Sequence, residues 1–596
     1  MNLFQRAVET FDAHSSYVGK EIEGHKMLAP VSHLLARPDF EITIDQAGYF
    51  LAARAIDAKE PKIPIPVTEQ SAGRTAQPCP HPLCDQLTYL SPYNKEKHAL
   101  YVQQLADWES SSHSHPMLLP ILTYIKGGTI LNDLAQAGLI DPDMDENPEN
   151  EKKMICWRVY GLGTPLDGCW QQPSLFQAFQ DWYMSLRAKD KKALCMITGA
   201  YDVPALQHPK GVLPMKPNAK LISSNDKGEL TFRGRFTDAA QAVTVGYQAS
   251  QKAHNALRWL VAEQGAKASF GDRTFLCWNP NGIPVCHVTG PFGMLDDEPI
   301  APSDYRLALK KTLDGYCGLL PEQDEKVVIA ALEAVSKGRI SITYYNEMEG
   351  NDFFQRLHDW DAHCSWYQWY KGIYSPPLSQ IINCAFGSVE HGRLVSSAGA
   401  MRQHMQRLVA CRLGEAPMPV DIMRAIVANA STPQSYNRAI WQNIVTTACA
   451  VIQKYRYDNF KEECEMELNP DKADRSYQFG RMLAIMEKVE RDTYSEDEKR
   501  EPNAIRLMTL FTRRPLYATA ELEKILNQAY FPRLNPGLRT YYRKVIGDIM
   551  ERISAMPEED WNKPLSETYL MGYHLQRKQL YTSQKNKEIN EEESEV

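Results

Sequence analysis

The sequence predicts an α+β protein whose strands gather in its first 350 residues and whose remainder is helical. Three observations carry that expectation. Apolar runs bounded by Gly, Pro and Asn (Phe40–Ile44, Ala193–Thr198, Ala219–Ser223, Thr274–Trp278 and Arg339–Tyr345) all fall before about residue 348. From about residue 352 onward apolar positions recur three or four apart, the period of a helix. A chain of 596 residues also exceeds what one hydrophobic core serves. The expected organisation is a mixed α/β N-terminal domain over 1–350, a helical middle region over 351–464 and an all-α C-terminal helical bundle over 465–596.

Taken in order, Leu3, Phe4, Ala7, Val8 and Phe11 are spaced to dock an opening helix on a core. The stretch from Lys62 to Pro82 holds Pro64, Pro66, Pro78, Pro80 and Pro82, too many for a helix or a central strand, and reads as a long loop of the kind that is either functional or disordered. Residues 88–190 read as largely helical, broken by a polar surface loop at 141–153. Helical periods then cover 397–413, 419–430 and 434–461. A break at LNPDK, near Glu465, precedes five candidate helices at 471–493, 501–512, 517–530, 535–555 and 564–586. Phe479, Leu483 and Met486 supply an apolar face there, and Pro515, Pro532 and Pro557 mark short connections that favour antiparallel neighbours. The last residues, NKEINEEESEV, are charged and expected to fray.

Composition is that of a globular protein, 43% hydrophobic and 23% charged, with no apolar stretch near the roughly 20 residues that cross a bilayer. The N-terminus lacks the basic head and apolar run of a signal peptide, so a cytoplasmic location is expected. Thirteen scattered cysteines suit a reducing compartment, and no disulfides are expected. The net charge of -8 argues against non-specific coating of nucleic acid and directs attention to local patches.

No phosphate loop, dinucleotide-binding glycine turn, zinc-protease helix or nucleophile elbow occurs, so the commonest nucleotide-driven and hydrolytic chemistries lack their local parts. The strongest catalytic candidate is HDWDAHC, where His358, Asp359, Asp361 and His363 could share a metal in a metal-dependent nuclease, or else form the solvated edge of an aromatic-packed helix. In CPHPLC, Cys79, His81 and Cys84 could ligate zinc but lack a fourth partner, and a proline-stiffened loop over packed thiols is the competing reading. The most informative segment is His208–Arg235, where Lys210, Lys216, Lys220, Lys227, Arg233 and Arg235 outnumber Asp226 and Glu229 by four charges. Gly211, Pro214 and Pro217 keep this loop irregular, and Asn218, Ser223, Ser224 and Asn225 add neutral donors, a set suited to a nucleic-acid backbone. A second basic stretch, Arg402, Arg407 and Arg412, lies on one expected helix.

Five segments, in order along nearly the whole chain, resemble the large subunit of type I-C CRISPR interference (Cascade) complexes: MNLFQRAVETFD, CMITGAYDVPALQHPKGV with PNAKLISSN, GRISITYY, VDIMRAIVANASTPQSYNRAIWQNIV and NPDKADRSYQFGRMLAIMEKVE. The resemblance implies a non-catalytic DNA-recognition subunit in antiviral defence. Such a subunit reads the protospacer-adjacent motif in duplex DNA, aids R-loop formation and helps recruit a helicase-nuclease, while guide pairing reads the target. No catalytic residue, metal or other cofactor is then required. The partners implied are crRNA-bound backbone subunits, a crRNA-processing subunit, small subunits from an internal start, target double-stranded DNA and the helicase-nuclease, with no membrane.

The motif-reading stretch corresponds to SAGRTAQPCPHPLCDQLTY. There Arg74, Gln77 and Gln86 are candidates for base edges and Thr75 and Tyr89 for sugar or phosphate. At Gln86 the sequence departs from the family's usual Asn, and Asp85 also suits a cap or turn role. Lys210, Lys216, Lys220, Asn225, Arg233 and Arg235 are the phosphate-contact candidates. Arg475, Arg481, Arg513, Arg514, Arg533, Arg539, Arg543 and Lys544 are candidates for the displaced-strand path along the C-terminal bundle, which resembles a small subunit. Met466 stands at the inferred boundary where the family's internal start would fall. A protein-interaction scaffold without nucleic-acid contact is the remaining alternative.

Overall fold

The computed structural model describes residues 2–74, 77–141, 143–144, 147–223, 236, 239–264, 268–292, 301–320, 325–369, 372–495 and 497–594. The protein is α+β, and its chain divides into two compact units: Met1–Ile283 with Val328–Glu347, and Pro284–Val327 with Met348–Val596. The second unit therefore takes in 284–327 and holds the segments 351–464 and 465–596 together.

In the first unit, the helix Leu3–Ala13 opens at Asn2, whose side chain accepts the Gln5 N–H while the Gln5 side chain accepts the Asn2 N–H, a reciprocal cap. Leu3, Ala7 and Phe11 are buried on the face packed against the long helix Tyr247–Gln264. A three-stranded sheet has Phe40–Asp45 at its centre, antiparallel to Phe50–Ala55 and parallel to Ile155–Tyr160. A parallel pair needs a long crossover. The helices Lys95–Glu109, Leu118–Gly127 and Ile130–Gln136 lie in that crossover. A second sheet runs in the order Ile340–Glu349, Lys326–Ala334, Arg273–Trp278 and Ser269–Phe270. Its strand KVVIAALEA is buried at every residue from Val327 to Ala334, as a continuous apolar run requires.

The second unit is built mainly of helices. Arg475–Arg491 is its central element, buried from Ser476 to Glu490, and packs along Thr568–Ser594. Two glycines permit that approach: a Cβ at Gly480 would stand 1.9 Å from the Tyr569 carbonyl oxygen, and one at Gly572 would stand 2.1 Å from that of Tyr477. Buried Glu487 on this helix is paired within the unit, accepting from Tyr573 at 2.5 Å, Arg491 at 2.6 Å and Arg577 at 3.3 Å. The Arg456–Glu567 ion pair at 2.8 Å and the Trp366 Nε1–His574 Nδ1 bond at 3.2 Å tie 351–464 to 465–596.

The structure departs from the sequence expectation at short elements. Ile63–Pro66 is a strand and Glu69–Gly73 a helix inside the expected 62–82 loop. Pro64 and Pro66 are tolerated because this strand pairs with one neighbour only, His33–Ala36. Ile155–Tyr160 is a strand within the stretch read as helical. Of Ala193–Thr198 only Ala193–Leu194 pairs, and 219–223 contributes only isolated bridges at Lys220. Two hairpins, Trp366–Tyr367 with Ile373–Tyr374 and Ser388–Glu390 with Arg393–Val395, interrupt the helical region. Among the described residues no helix is long and apolar enough to cross a membrane.

Candidate nucleic-acid interface

The proline-rich loop is held by a buried ion pair. Thr68 caps the short helix Glu69–Gly73, accepting the Ser71 N–H, and Arg74 follows it. The Arg74 guanidinium donates to both oxygens of Asp85 at 2.8 and 2.6 Å and to the Cys79 carbonyl at 3.0 Å, and stands 4.7 Å from the Tyr89 ring centre. Asp85 is fully buried and also accepts the His81 and Gln86 N–H groups at 2.6 and 2.7 Å. Burial opposes the charge on Arg74, but the Asp85 carboxylate outweighs it and raises the guanidinium above its ordinary value. The backbone turns at Leu83, whose φ of 74° lies in the left-handed region and whose carbonyl accepts from Tyr101 at 2.6 Å and Trp157 at 2.8 Å. Burial, opposed by Asp85 and aided by Arg74 and Lys210, pushes His81 down to about 4.

The basic loop is closed on itself. Lys210 and Lys220 form an antiparallel bridge, and the Gly211 N–H donates to the Ala219 carbonyl at 2.9 Å. Gly211 has φ of 76°, and a Cβ there would lie 2.9 Å from the Pro217 carbonyl oxygen, so the turn needs glycine. Lys220 is pinned through its backbone to Gly338 and Ile340 at 3.1 and 2.9 Å.

This loop and the end of the Glu69–Gly73 helix border one cavity of about 1210 Å³ within the first unit. Lys26, Arg37, Lys59, Lys62, Lys210, Lys220 and Arg258 line it, with Glu21, Glu23, Glu60 and Glu69. Two of those acids are already engaged, Glu60 by Arg54 at 2.9 Å and Glu69 by Arg187 at 2.8 Å. Lys220 is held below its ordinary value, first by burial and then by Lys210. The cavity's cations thus exceed its uncommitted acids.

The sequence-predicted residues are placed unequally. Lys210 and Lys220 face the cavity, while Lys216 shares their loop without lining it. Gln77 is exposed, and Gln86 is half-buried with its Oε1 3.4 Å from Arg74. Tyr89 is buried, its hydroxyl accepting the Cys79 N–H at 3.3 Å. Thr75, Asn225, Arg233 and Arg235 lie outside the described residues. Sequence reasoning missed Arg258, which extends a polar stripe at Gln251 and Asn255 on the helix Tyr247–Gln264; their four- and three-residue spacing was the available signal.

In the second unit, Arg481 is buried and donates to Gln576, Pro470 and Gln478 at 3.0, 2.7 and 2.7 Å, so it is not a surface cation. Arg475 is likewise occupied, donating to the carbonyls of Trp561, Lys563 and Pro564. Arg539 is partly buried and donates to the Pro532 and Leu534 carbonyls. Arg513, Arg514, Arg533, Arg543 and Lys544 are exposed. On the second basic helix Arg407 pairs with Asp421 at 2.6 Å, and Arg412 is buried against Asp361 and the Val288 carbonyl.

The expected metal donors diverge. Asp361 is buried and accepts from Ser375 at 3.0 Å, Asp359 is exposed and accepts from Gln355 at 2.8 Å, and His363 stacks on Tyr457 with ring centres 3.6 Å apart. Cys84 faces Cys169 at 3.6 Å while His81 Nδ1 faces Ser71 at 2.9 Å. Among the described residues no three His, Cys, Asp or Glu side chains gather as a metal site.

Fold and site together define a large α+β protein whose N-terminal unit carries a cation-lined cavity beside a rigid, ion-paired loop. The chain belongs to the CRISPR-associated Cas_Csd1 family, whose model, described as CRISPR-associated protein (Cas_Csd1), matches residues 14–581. No curated protein matches the chain.

Proposed function

We propose that this protein is the non-catalytic large subunit of a crRNA-guided type I-C surveillance complex. In that role it recognises the protospacer-adjacent motif in duplex DNA, aids R-loop formation and recruits the helicase-nuclease, alongside crRNA-bound backbone subunits and a crRNA-processing subunit. Family membership supports the setting. The observation that carries the DNA-facing part is the cavity, which brings Lys210 and Lys220 to the end of the helix leading into the Arg74–Asp85 loop. Phosphates held by lysines fix the register of a duplex, and side chains on a rigid neighbouring loop read its bases. Gln77, exposed on that loop, is the base-edge candidate, and Arg74 is its positioning residue. The exposed Arg513, Arg514, Arg533, Arg543 and Lys544 are the candidates for the displaced strand.

The reading is tested with the assembled complex and target duplexes that differ only at the adjacent motif. Gln77→Ala is expected to reduce the preference for the correct motif by about 1–3 kcal/mol while leaving motif-independent binding unchanged. Equal loss on all duplexes would reassign Gln77 to the backbone, and no binding of duplex by the complex at any salt would favour a scaffold. Small subunits from an internal start at Met466 are part of the same proposal, checked by mass spectrometry of the complex expressed from the intact gene. A short product beginning at or near Met466 is expected; full assembly and activity from the long chain alone would refute it.

A further inference from the structure

The floor of the cavity has a feature that a general basic surface does not need. Arg258 projects from the helix Tyr247–Gln264, donating to Asn255 Oδ1 at 2.9 Å and to the Lys210 carbonyl. Burial pushes its guanidinium down to about 10, still charged at neutral pH. Its bond to the Lys210 carbonyl fixes that residue's backbone, and the Lys210–Lys220 bridge brings the second lysine alongside. All three residues line the one cavity, and the charge on Lys210 is felt at Lys220. The acid whose charge acts on Lys220 is Glu69, and its carboxylate is already shared among Arg187 at 2.8 Å and the Leu206 and Gln207 N–H groups at 2.8 and 3.1 Å. Gathering like charges away from water costs free energy unless an anion completes them.

We infer that Lys210, Lys220 and Arg258 form a discrete site for one phosphate group, with the two ammonium groups gripping its oxygens and Arg258 supplying charge and fixing the backbone beneath them. Gln251 lines the same cavity as a neutral donor, while Asn255 is committed, donating to the Ala29 and Pro30 carbonyls and accepting from Arg258. His208, on the same wall, is lowered to about 4 by burial and by Lys220, and its Nδ1 faces Ser250 Oγ at 2.9 Å. It is therefore neutral near pH 7 and adds shape more than charge. The ligand class is a phosphate of a nucleic-acid strand, either an internal phosphodiester or a terminal monoester. This deepens the nucleic-acid reading above by assigning one phosphate to a fixed place, and does not depend on which motif is read.

The test uses the full purified chain and inorganic phosphate at constant ionic strength set with chloride, followed by calorimetric titration. Saturable binding is expected, weakened at least tenfold by Lys220→Met, which keeps the length and apolar stem of the side chain, and less than twofold by Lys62→Met at another part of the wall. Arg258→Gln is expected to abolish binding; should that variant fail to fold, Lys220→Met still decides the matter. Competition by a short oligonucleotide with and without a 5′-phosphate identifies the source. A clear advantage for the phosphorylated strand assigns the site to a terminal monoester, and equal competition assigns it to an internal phosphodiester. No saturable phosphate binding, or binding unaffected by Lys220→Met, overturns the site. Loss of this site with motif-dependent DNA binding intact would leave the functional reading standing, whereas phosphate binding without any motif-dependent DNA binding would do the reverse.

Discussion

Replacing Arg74 with Ala is expected to damage the N-terminal unit before it affects any partner. The guanidinium is the only cation that ion-pairs with Asp85 among the described residues, and the carboxylate is fully buried. Removing one member of a buried pair typically costs about 3–5 kcal/mol, because the surviving charge stays in a low-dielectric site. The His81 and Gln86 N–H groups still reach Asp85 and offset part of that cost, while the lost contact with the Tyr89 ring adds roughly 0.5–1 kcal/mol. A net loss of about 3 kcal/mol is therefore expected. Urea unfolding of the purified chain, followed through tryptophan fluorescence, measures it as a lower midpoint for the first transition. Gln77→Ala is the control, since an exposed side chain of this kind should change stability by no more than about 0.5 kcal/mol. An Arg74→Ala protein with unchanged unfolding but lost motif discrimination would refute the positioning role and restore Arg74 as a direct reader.

Three further outcomes are expected. Replacing Lys210, Lys216 and Lys220 together with Ala should weaken target binding by the complex and reduce the slope of log affinity against log salt by up to about 2–3 units, as a salt titration would show. Stability should fall as pH drops from about 6.5 toward 4. Buried His33 has its folded value lowered to about 4, so the unfolded chain takes up the proton first; each unit of that gap is worth about 1.4 kcal/mol, and His33→Phe should remove that histidine's share of the loss in a pH series of unfolding curves, leaving the shares of His81 and His208. Gly480→Ala should cost about 3 kcal/mol or more in the second unit, because its Cβ would fall 1.9 Å from the Tyr569 carbonyl oxygen; a variant with an unchanged thermal midpoint would show that the helices separate easily.

Helices with sustained periodicity were legible in the sequence, from Leu3–Ala13 to Pro536–Ser554, because one apolar face suffices to define them. Short strands were not. Ile63–Pro66 was hidden by its prolines, whose cost vanishes on an edge, and 219–223 has a strand-like composition but forms only bridges at one residue. The helix Arg475–Arg491 shows why charge is a poor guide to exposure: Arg481, expected along the displaced-strand path, is buried, as are Glu487, Lys488 and Glu490, with partners supplied in part from distant segments. The basic loop was visible as a local excess of lysine and arginine. The cavity was not, because its walls come from residues as far apart as Lys26, Lys59, Lys210 and Arg258, and only packing brings those together. The closure of Arg74 on Asp85 was not legible either, since nothing in the loop sequence marks Asp85 as its partner and only the fold brings the two side chains together.

The central claim is that this chain gives a guide-bearing complex its reading of the sequence beside the target. It is tested most directly by assembling the complex with and without the chain and challenging each with duplexes carrying one guide-matched target flanked by randomised base pairs, then sequencing what is retained. The account predicts enrichment of a short motif only when the chain is present, weakened by Gln77→Ala. The same enrichment without the chain would contradict it.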